Sequence, residues 1–296
     1  MYKGILYLLA ATFTFSLVNL GVKLLSHSND LFPGMQEYPV HELVFFRSII
    51  SLSICLTVVR MRKIPILGNN RRWLLIRGIS GATGLFLFFT TIQNIPLAIA
   101  TTVQYLSPVF TIILAVFLLK ETVKPVQWFF FVISLSGVFI IGYNPTSGGT
   151  EIGFGWLIIG IISALFSGLA YNAIMKCRDT DHPVTVVMYF PLVSTPVTLL
   201  MCLSMGFIVP QGIEWILLLS VGILTQIAQV CMTRAFNADT ASTVAPLKYL
   251  GSIYASLMGL FIFGETLGFY SILGICLIII GVLLNTWFKK RRVHIP

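Results

Sequence analysis

Apolar runs of about twenty residues, long enough for a helix to cross the hydrocarbon core of a bilayer, alternate with short polar breaks along the whole chain. The pattern predicts ten spanning helices, at residues 3–26, 42–60, 73–94, 97–119, 126–143, 153–175, 184–206, 213–235, 241–263 and 268–288. The expected fold class is therefore an all-α integral membrane protein, with too little chain left between spans for a soluble domain. The first run superficially resembles a signal peptide. It is too long for a signal core and has no A-x-A-like cleavage site, so it is read as the first span.

A second periodicity is much longer. Residues 105–122, YLSPVFTIILAVFLLKET, return at 249–266 as YLGSIYASLMGLFIFGET, an ungapped shift of 144 positions. The same shift carries Gly78 onto Gly222, Phe117 onto Phe261, Glu121 onto Glu265 and Gly137 onto Gly281. Two units follow: residues 1–144, a connecting loop at 145–152 that composition marks as flexible, and residues 153–296 with a basic cytoplasmic tail. Five spans per unit is odd, so the second unit enters the membrane from the opposite face. The expected architecture is ten helices in two inverted five-helix repeats around a central cavity. Inverted repeats characterise transporters that expose a midplane site to each side in turn; the alternative is a duplication that only builds a larger bundle.

Composition agrees with the membrane reading. Of 296 residues, 57% are hydrophobic and 10% charged, against roughly 25% charged in an average soluble domain. The net charge of +9 would suit a nucleic-acid partner if it were clustered at random, but its placement is ordered. Lys3, Arg60, Arg62, Lys63, Arg71, Arg72, Arg77, Lys120, Lys124, Lys176, Arg178, Arg234, Lys289, Lys290, Arg291 and Arg292 all fall on one side of the predicted topology. The opposite segments, 27–41, 95–96, 144–152, 207–212 and 264–267, hold no Lys or Arg. By the positive-inside rule this puts both termini in the cytoplasm of a multi-pass plasma (cytoplasmic) membrane protein. The bilayer and a small-molecule metabolite are the expected partners, and nucleic acid is not.

Catalysis finds no support. The four histidines lie in loops or the tail and the ten carboxylates in loops or near span ends, so no buried acid pair, HExxH or Ser–His set is visible. The five cysteines have no metal-type spacing, and no metal or cofactor is expected. No G-x-x-x-x-G-K-[ST] loop occurs, which points to secondary or facilitated transport rather than to an enzyme or an ATP-driven pump.

Polar residues recur at matching places in the two units. Asn19 and Lys23 are echoed by Asn172 and Lys176, in each case four apart on one helix face. Lys23 with Glu265 is expected to close an outer gate, and Lys176 with Glu121 an inner one; the alternative is four helix-end charges snorkelling to the interface. Gln104 and Tyr105 match Lys248 and Tyr249. A lysine within a span costs about 2.5–3.5 kcal/mol on insertion scales and so tends to face a cavity. Lys248, with Arg47, would favour an anionic or zwitterionic substrate, although Arg47 also suits an interface anchor. Gln226 and Gln229, three apart, are candidate amide partners for substrate or for another helix. Tyr171, Phe15, Ser16 and Ser167 are expected to border the same space, and Pro108 and Pro246 to kink their spans. Spans five and ten are the least polar and are expected at the periphery, in a monomer or in a homodimer formed through them.

Several of these motifs belong together. FFRS at 45–48, RG at 77–78, PLAIATTVQYLSPVFTIILAVFLLKET at 96–122 and the second-unit counterpart ending in GET resemble the EamA-type family of the drug/metabolite transporter superfamily. The resemblance covers essentially the whole chain. It implies ten spans in two inverted repeats, with a cavity lined mainly by spans 1, 3, 4, 6, 8 and 9. It leaves the substrate open, since related families carry amino acids, nucleotide-sugars, phosphorylated sugars, purines and S-adenosylmethionine. Lys248 stands where relatives resembling this subgroup carry an acidic residue, which speaks against a cationic substrate. A flippase for a lipid-linked polar head group is the rival of closest architecture.

Overall fold

The computed structural model describes residues 2–26, 34–119, 125–143, 146–147, 150–151, 153–177, 180–238 and 250–290. Eleven helices fill the described residues: α1 (Tyr2–Ser26), α2 (Val40–Arg62), α3 (Arg71–Asn94), α4 (Leu97–Gln104), α5 (Ser107–Leu119), α6 (Pro125–Tyr143), α7 (Phe154–Cys177), α8 (Pro183–Met205), α9 (Glu214–Ala238), α10 (Leu250–Phe263) and α11 (Phe269–Lys290). Seven segments, α4 with α5 counted as one, are long and apolar enough to cross a membrane; the apolar helices at 128–141, 253–263 and 269–284 are shorter. Helix is the form expected in hydrocarbon, where backbone groups must be satisfied within their own segment. Hydroxyls follow the same rule: Thr14 donates to the Ala10 carbonyl, Thr91 to Leu87, Ser134 to Phe130 and Thr198 to Ser194. Large apolar side chains cover the outside, Phe117 and its repeat mate Phe261 being 73% and 78% exposed. The protein is an integral, multi-pass membrane protein.

The fourth span is interrupted where the sequence places Pro108. Proline has no N–H to give to the carbonyl of Gln104 four residues earlier. The chain tightens there, Tyr105 and Leu106 bonding back three residues to Thr102 and Val103, and α5 begins afresh. Pro246 lies outside the described residues. Within the link between the halves, Thr146–Ser147 pairs antiparallel with Thr150–Glu151.

Helices of one half pack almost entirely on helices of the other. α3 packs on α7 and α8, α9 on α1 and α2, α5 on α7, and α10 on α1. α2 meets α8, α4 meets α10, and α6 meets α11. Exchanging the halves leaves this scheme unchanged. The residues of the α6–α11 contact exchange too. A Cβ on Gly137 would lie 2.6 Å from the Gly274 carbonyl oxygen and 2.9 Å from Ile278, while one on Gly281 would lie 2.8 Å from the Phe130 carbonyl oxygen and against Ser134. Each partner set is the other shifted by 144. Because position rises along α6 as it falls along α11, these helices run antiparallel. The two helices expected at the periphery thus use their glycine faces on each other, leaving Trp128, Phe129, Val132, Phe139 and Ile280 exposed.

A carboxylate ties the halves together at each end. At one end Glu214 accepts from the Gln36 N–H (2.8 Å), the Tyr38 hydroxyl (2.6 Å) and the Gln211 N–H (2.7 Å). Burial first, and then the bond to Glu214, raise the Tyr38 pKa above its ordinary value, so the phenol stays a donor. At the other end Asp181 accepts from the backbone N–H groups of Asn69 and Asn70 and from the Thr180 hydroxyl, and the Tyr189 hydroxyl donates to the Leu67 carbonyl. Burial alone would raise the Asp181 pKa, but the three hydrogen bonds together hold it below the ordinary aspartate value.

Two predictions follow from these contacts. Gly137→Val forces side-chain atoms onto backbone that cannot yield and should destabilise by about 1–3 kcal/mol. Gly155→Val, with nothing within 4 Å of a new Cβ, should leave the thermal midpoint in detergent unchanged. Asp181→Asn should cost about 1–3 kcal/mol at neutral pH. A carboxylate whose pKa is depressed by folding stabilises above its unfolded value and loses that contribution as pH falls through the folded one. The gap between wild type and Asp181→Asn in thermal melts should therefore be constant above about pH 5 and close as pH falls below the ordinary aspartate range near 3.9.

Candidate functional site

Between the halves lies a cavity of about 190 Å3, lined from α1, α2, α3, α4, α5, α7, α8 and α9. That is below the roughly 300–1,000 Å3 that take drug-sized ligands and suits a smaller molecule. Its walls are mostly apolar and aromatic, with polar groups at few places.

Two of those groups are guanidiniums. Arg47 of α2 and Arg77 of α3 line the cavity and are 3% and 6% exposed. Arg47 Nε donates to the Thr225 hydroxyl at 3.0 Å. Its guanidinium lies 5.4 Å from the Phe89 ring and 5.3 Å from the Phe190 ring; that of Arg77 lies 5.7 Å from the same Phe190 ring. Arg47 Nη1 and Arg77 Nε have no hydrogen-bond partner, and no carboxylate of the described residues pairs with either side chain. A cation–π contact returns about 0.5–2 kcal/mol, less than the several kcal/mol that desolvating one ion costs in a protein. The aromatic rings therefore offset only part of the charge. Room for Arg77 comes from Gly81, one helical turn on, because a Cβ there would strike Arg77 Nη1.

The rest of the polar lining is held by its neighbours. Gln104 Nε2 donates to the Ser167 hydroxyl (2.8 Å), and its Oε1 accepts from Ser163 (2.9 Å), which binds the side chain to α7. The Tyr105 hydroxyl reaches the backbone of α10 at Gly251, where a side chain would block it. Asn19, Phe15, Ser16, Tyr171 and Gln229 also border the cavity.

Near one end of the molecule Lys23 is buried, 7% exposed. Its Nζ donates to the carbonyls of Ile92 and Ile95, each at 3.0 Å, and lies 3.6 Å from Glu265 Oε1. Glu265 Oε2 accepts from the Leu97 N–H at 2.9 Å. The ammonium thus sits at the C-terminus of α3 and the carboxylate at the N-terminus of α4, each where the helix dipole favours its sign. The cavity lies farther down α1, reached from Leu8 to Asn19.

Sequence reading and structure part company at several residues. Asn172 is fully buried and does not line the cavity; its Nδ2 donates to the Thr111 and Gly168 carbonyls, both at 3.0 Å, and fixes α7 to α5. Gln226 also lies outside the lining, accepting from Ser51 at 2.6 Å and facing the Cys55 sulfur, a contact between α9 and α2. Asn172 was expected to meet substrate and Gln226 either substrate or another helix; in this structure the partners of both are protein groups. Lys176 is half-buried, its ammonium 5.9 Å from the Trp73 ring, and its expected partner Glu121 lies outside the described residues, as do Lys248 and Tyr249. Arg77, counted by sequence with the loop charges, is a cavity residue. The signal that would have found it is an arginine one turn before a glycine inside a span.

Comparison with known proteins agrees with this architecture. The chain is 31% identical over 290 residues to the pseudopaline exporter CntI of Pseudomonas aeruginosa, covering 97% of each chain. It is 26% identical to a riboflavin transporter of Rhizobium johnstonii (99% of this chain, 94% of the relative) and 25% identical to human solute carrier family 35 member G1 (98% and 81%). A protein of known crystal structure superposes with a TM-score of 0.60 at 20% identity, over 97% of this chain and 99% of that one, and so shares the fold. These relatives are named as transporters, not as enzymes. The profile of the EamA-like transporter family matches twice, at residues 2–143 and 154–287, and the chain belongs to that family.

Proposed function

We propose that the protein is a secondary transporter that moves a small polar metabolite, anionic or zwitterionic, across the plasma membrane by alternating access. In this reading the two halves are inverted five-helix repeats giving ten spans, and both termini are cytoplasmic. The antiparallel, exchange-symmetric packing of α6 on α11 supports the inversion, and the one-sided distribution of Lys and Arg supports the orientation. The observation that carries the reading is the cavity between the halves, mostly apolar but lined by the buried Arg47 and Arg77, with the Lys23–Glu265 contact lying beyond it along α1. The conformation is then inward-facing, with Lys23 and Glu265 as the outer gate and Lys176 with Glu121 as its inner counterpart. Asn19, Arg47, Gln104, Tyr105, Tyr171 and Gln229 would meet the substrate, with Lys248 and Tyr249 completing the wall. The named cargoes of the relatives, pseudopaline and riboflavin, are small organic molecules, which supports a soluble metabolite over a lipid-linked head group.

In proteoliposomes the purified protein should show saturable counterflow of a soluble metabolite; movement of lipid-linked substrates alone would replace the carrier with a flippase. The gate makes a second prediction. With the five native cysteines replaced and a single cysteine at Asn19, an impermeant thiol reagent should label from the cytoplasmic side only. Glu265→Gln should add labelling from outside. The swap of Lys23→Glu with Glu265→Lys should not restore closure, because it places a carboxylate against the α3 carbonyls and an ammonium against the α4 N–H. Full restoration by the swap would mean that the pair acts as a simple ion pair, without its helix ends.

A further inference from the structure

We propose that the cavity is a site for a small dianion, held between the guanidiniums of Arg47 and Arg77. The proposal rests on the carrier reading above and narrows its substrate class. Two like charges from neighbouring helices of one half face a single space in the interior of a membrane protein, and both touch one ring, Phe190, supplied by the other half. Each keeps an unpartnered N–H donor while at least nine-tenths buried. Intramembrane charge is normally paired with protein groups, and where it is not it marks a ligand path. Here one hydrogen bond joins the pair to a described protein group, from Arg47 to the Thr225 hydroxyl.

The rings cover faces of the guanidiniums, and a guanidinium's N–H donors lie in its plane. Apart from Arg47 Nε, which donates to Thr225, the edges make no hydrogen bond to a described protein group and suit the paired, parallel bonds that a carboxylate or phosphate accepts. A monoanion would neutralise one guanidinium and leave the other repelled and unpaired. A molecule with two acidic groups, or one doubly charged phosphate, satisfies both. Gly81 fits the same account, since its missing side chain leaves Arg77 room beside the lumen rather than pressing it away. The binding charge is then divided between the halves in an unequal way: both cations come from the first, and the second supplies the aromatic floor. A rocking motion between halves would move the anion's cations relative to Phe190.

The test is thermal unfolding of the purified full-length protein at low salt with succinate, inorganic phosphate, propionate or the uncharged succinamide. Succinate or phosphate should raise the midpoint saturably, with apparent affinity at least tenfold above that of propionate, and succinamide should do nothing. A response to succinate alone selects spaced carboxylates; a response to phosphate alone selects a compact dianion. Arg47→Gln and Arg77→Gln should each weaken the response tenfold or more, while the exposed Arg72→Gln leaves it intact. If a glutamine variant fails to fold, Arg77→Lys, which keeps the charge but not the paired donors, should also weaken it. No dianion response beyond that of propionate, or a response kept by Arg77→Gln, overturns the proposal. Dianion binding without any counterflow would leave the clamp standing and remove the carrier. Counterflow of a neutral or cationic solute at wild-type rate in Arg77→Gln would do the reverse.

Discussion

Charge inside a bilayer has to be compensated, and in this protein some of it is and some is not. Lys23 has two carbonyl oxygens and a carboxylate around its ammonium, and Glu265 has a helix N-terminus against its own. Arg47 and Arg77 have aromatic faces and one hydroxyl. The first group has its compensation within the protein. Among the described residues no carboxylate pairs with the second, and both its members line the cavity.

The packing that creates the cavity is of a different kind. α6 and α11 approach through Gly137, Gly274 and Gly281, where backbone meets backbone. Without a hydrophobic drive between helices in lipid, such close contact of small residues is the main source of helix association. The exchange of contacts between halves extends to every major helix pair, but the side chains at the two ends do not follow it. Lys23 is locked between helix ends while Lys176 lies over Trp73. Asn19 borders the cavity while Asn172 binds backbone. A symmetric scaffold with unequal ends is what a carrier caught facing one way would present. The carboxylate ties at Asp181 and Glu214, one at each end, are both made in this structure.

How much of this the sequence carried depended on the length scale of the signal. Apolar runs extend over many positions, and among the described residues they located most helices to within a few residues; the expected start of the ninth span at 241 lies outside those residues. Pro108 marked its break because losing one N–H has a local and unavoidable effect. Individual side chains were less legible. Asn172 and Gln226 have the chemistry of ligand groups, yet their partners, the Thr111 carbonyl and Ser51, are far away in sequence. Nothing short of the packed structure tells an amide that binds substrate from one that binds a helix. Arg77 was hidden for the opposite reason: it lies near other basic residues that do belong to a loop, and only its placement beside Gly81 and Phe190 separates it from them.

The central claim is that two inverted halves enclose a site and open it to one side at a time. Pulsed electron–electron distance measurements on spin labels at Ser26 and Thr266 for the outer end, and at Arg178 and Thr122 for the inner end, test it directly. The account predicts that saturating transported substrate lengthens the outer distance and shortens the inner one in the same population of molecules. Two distances that stay fixed, or that lengthen together, would contradict it.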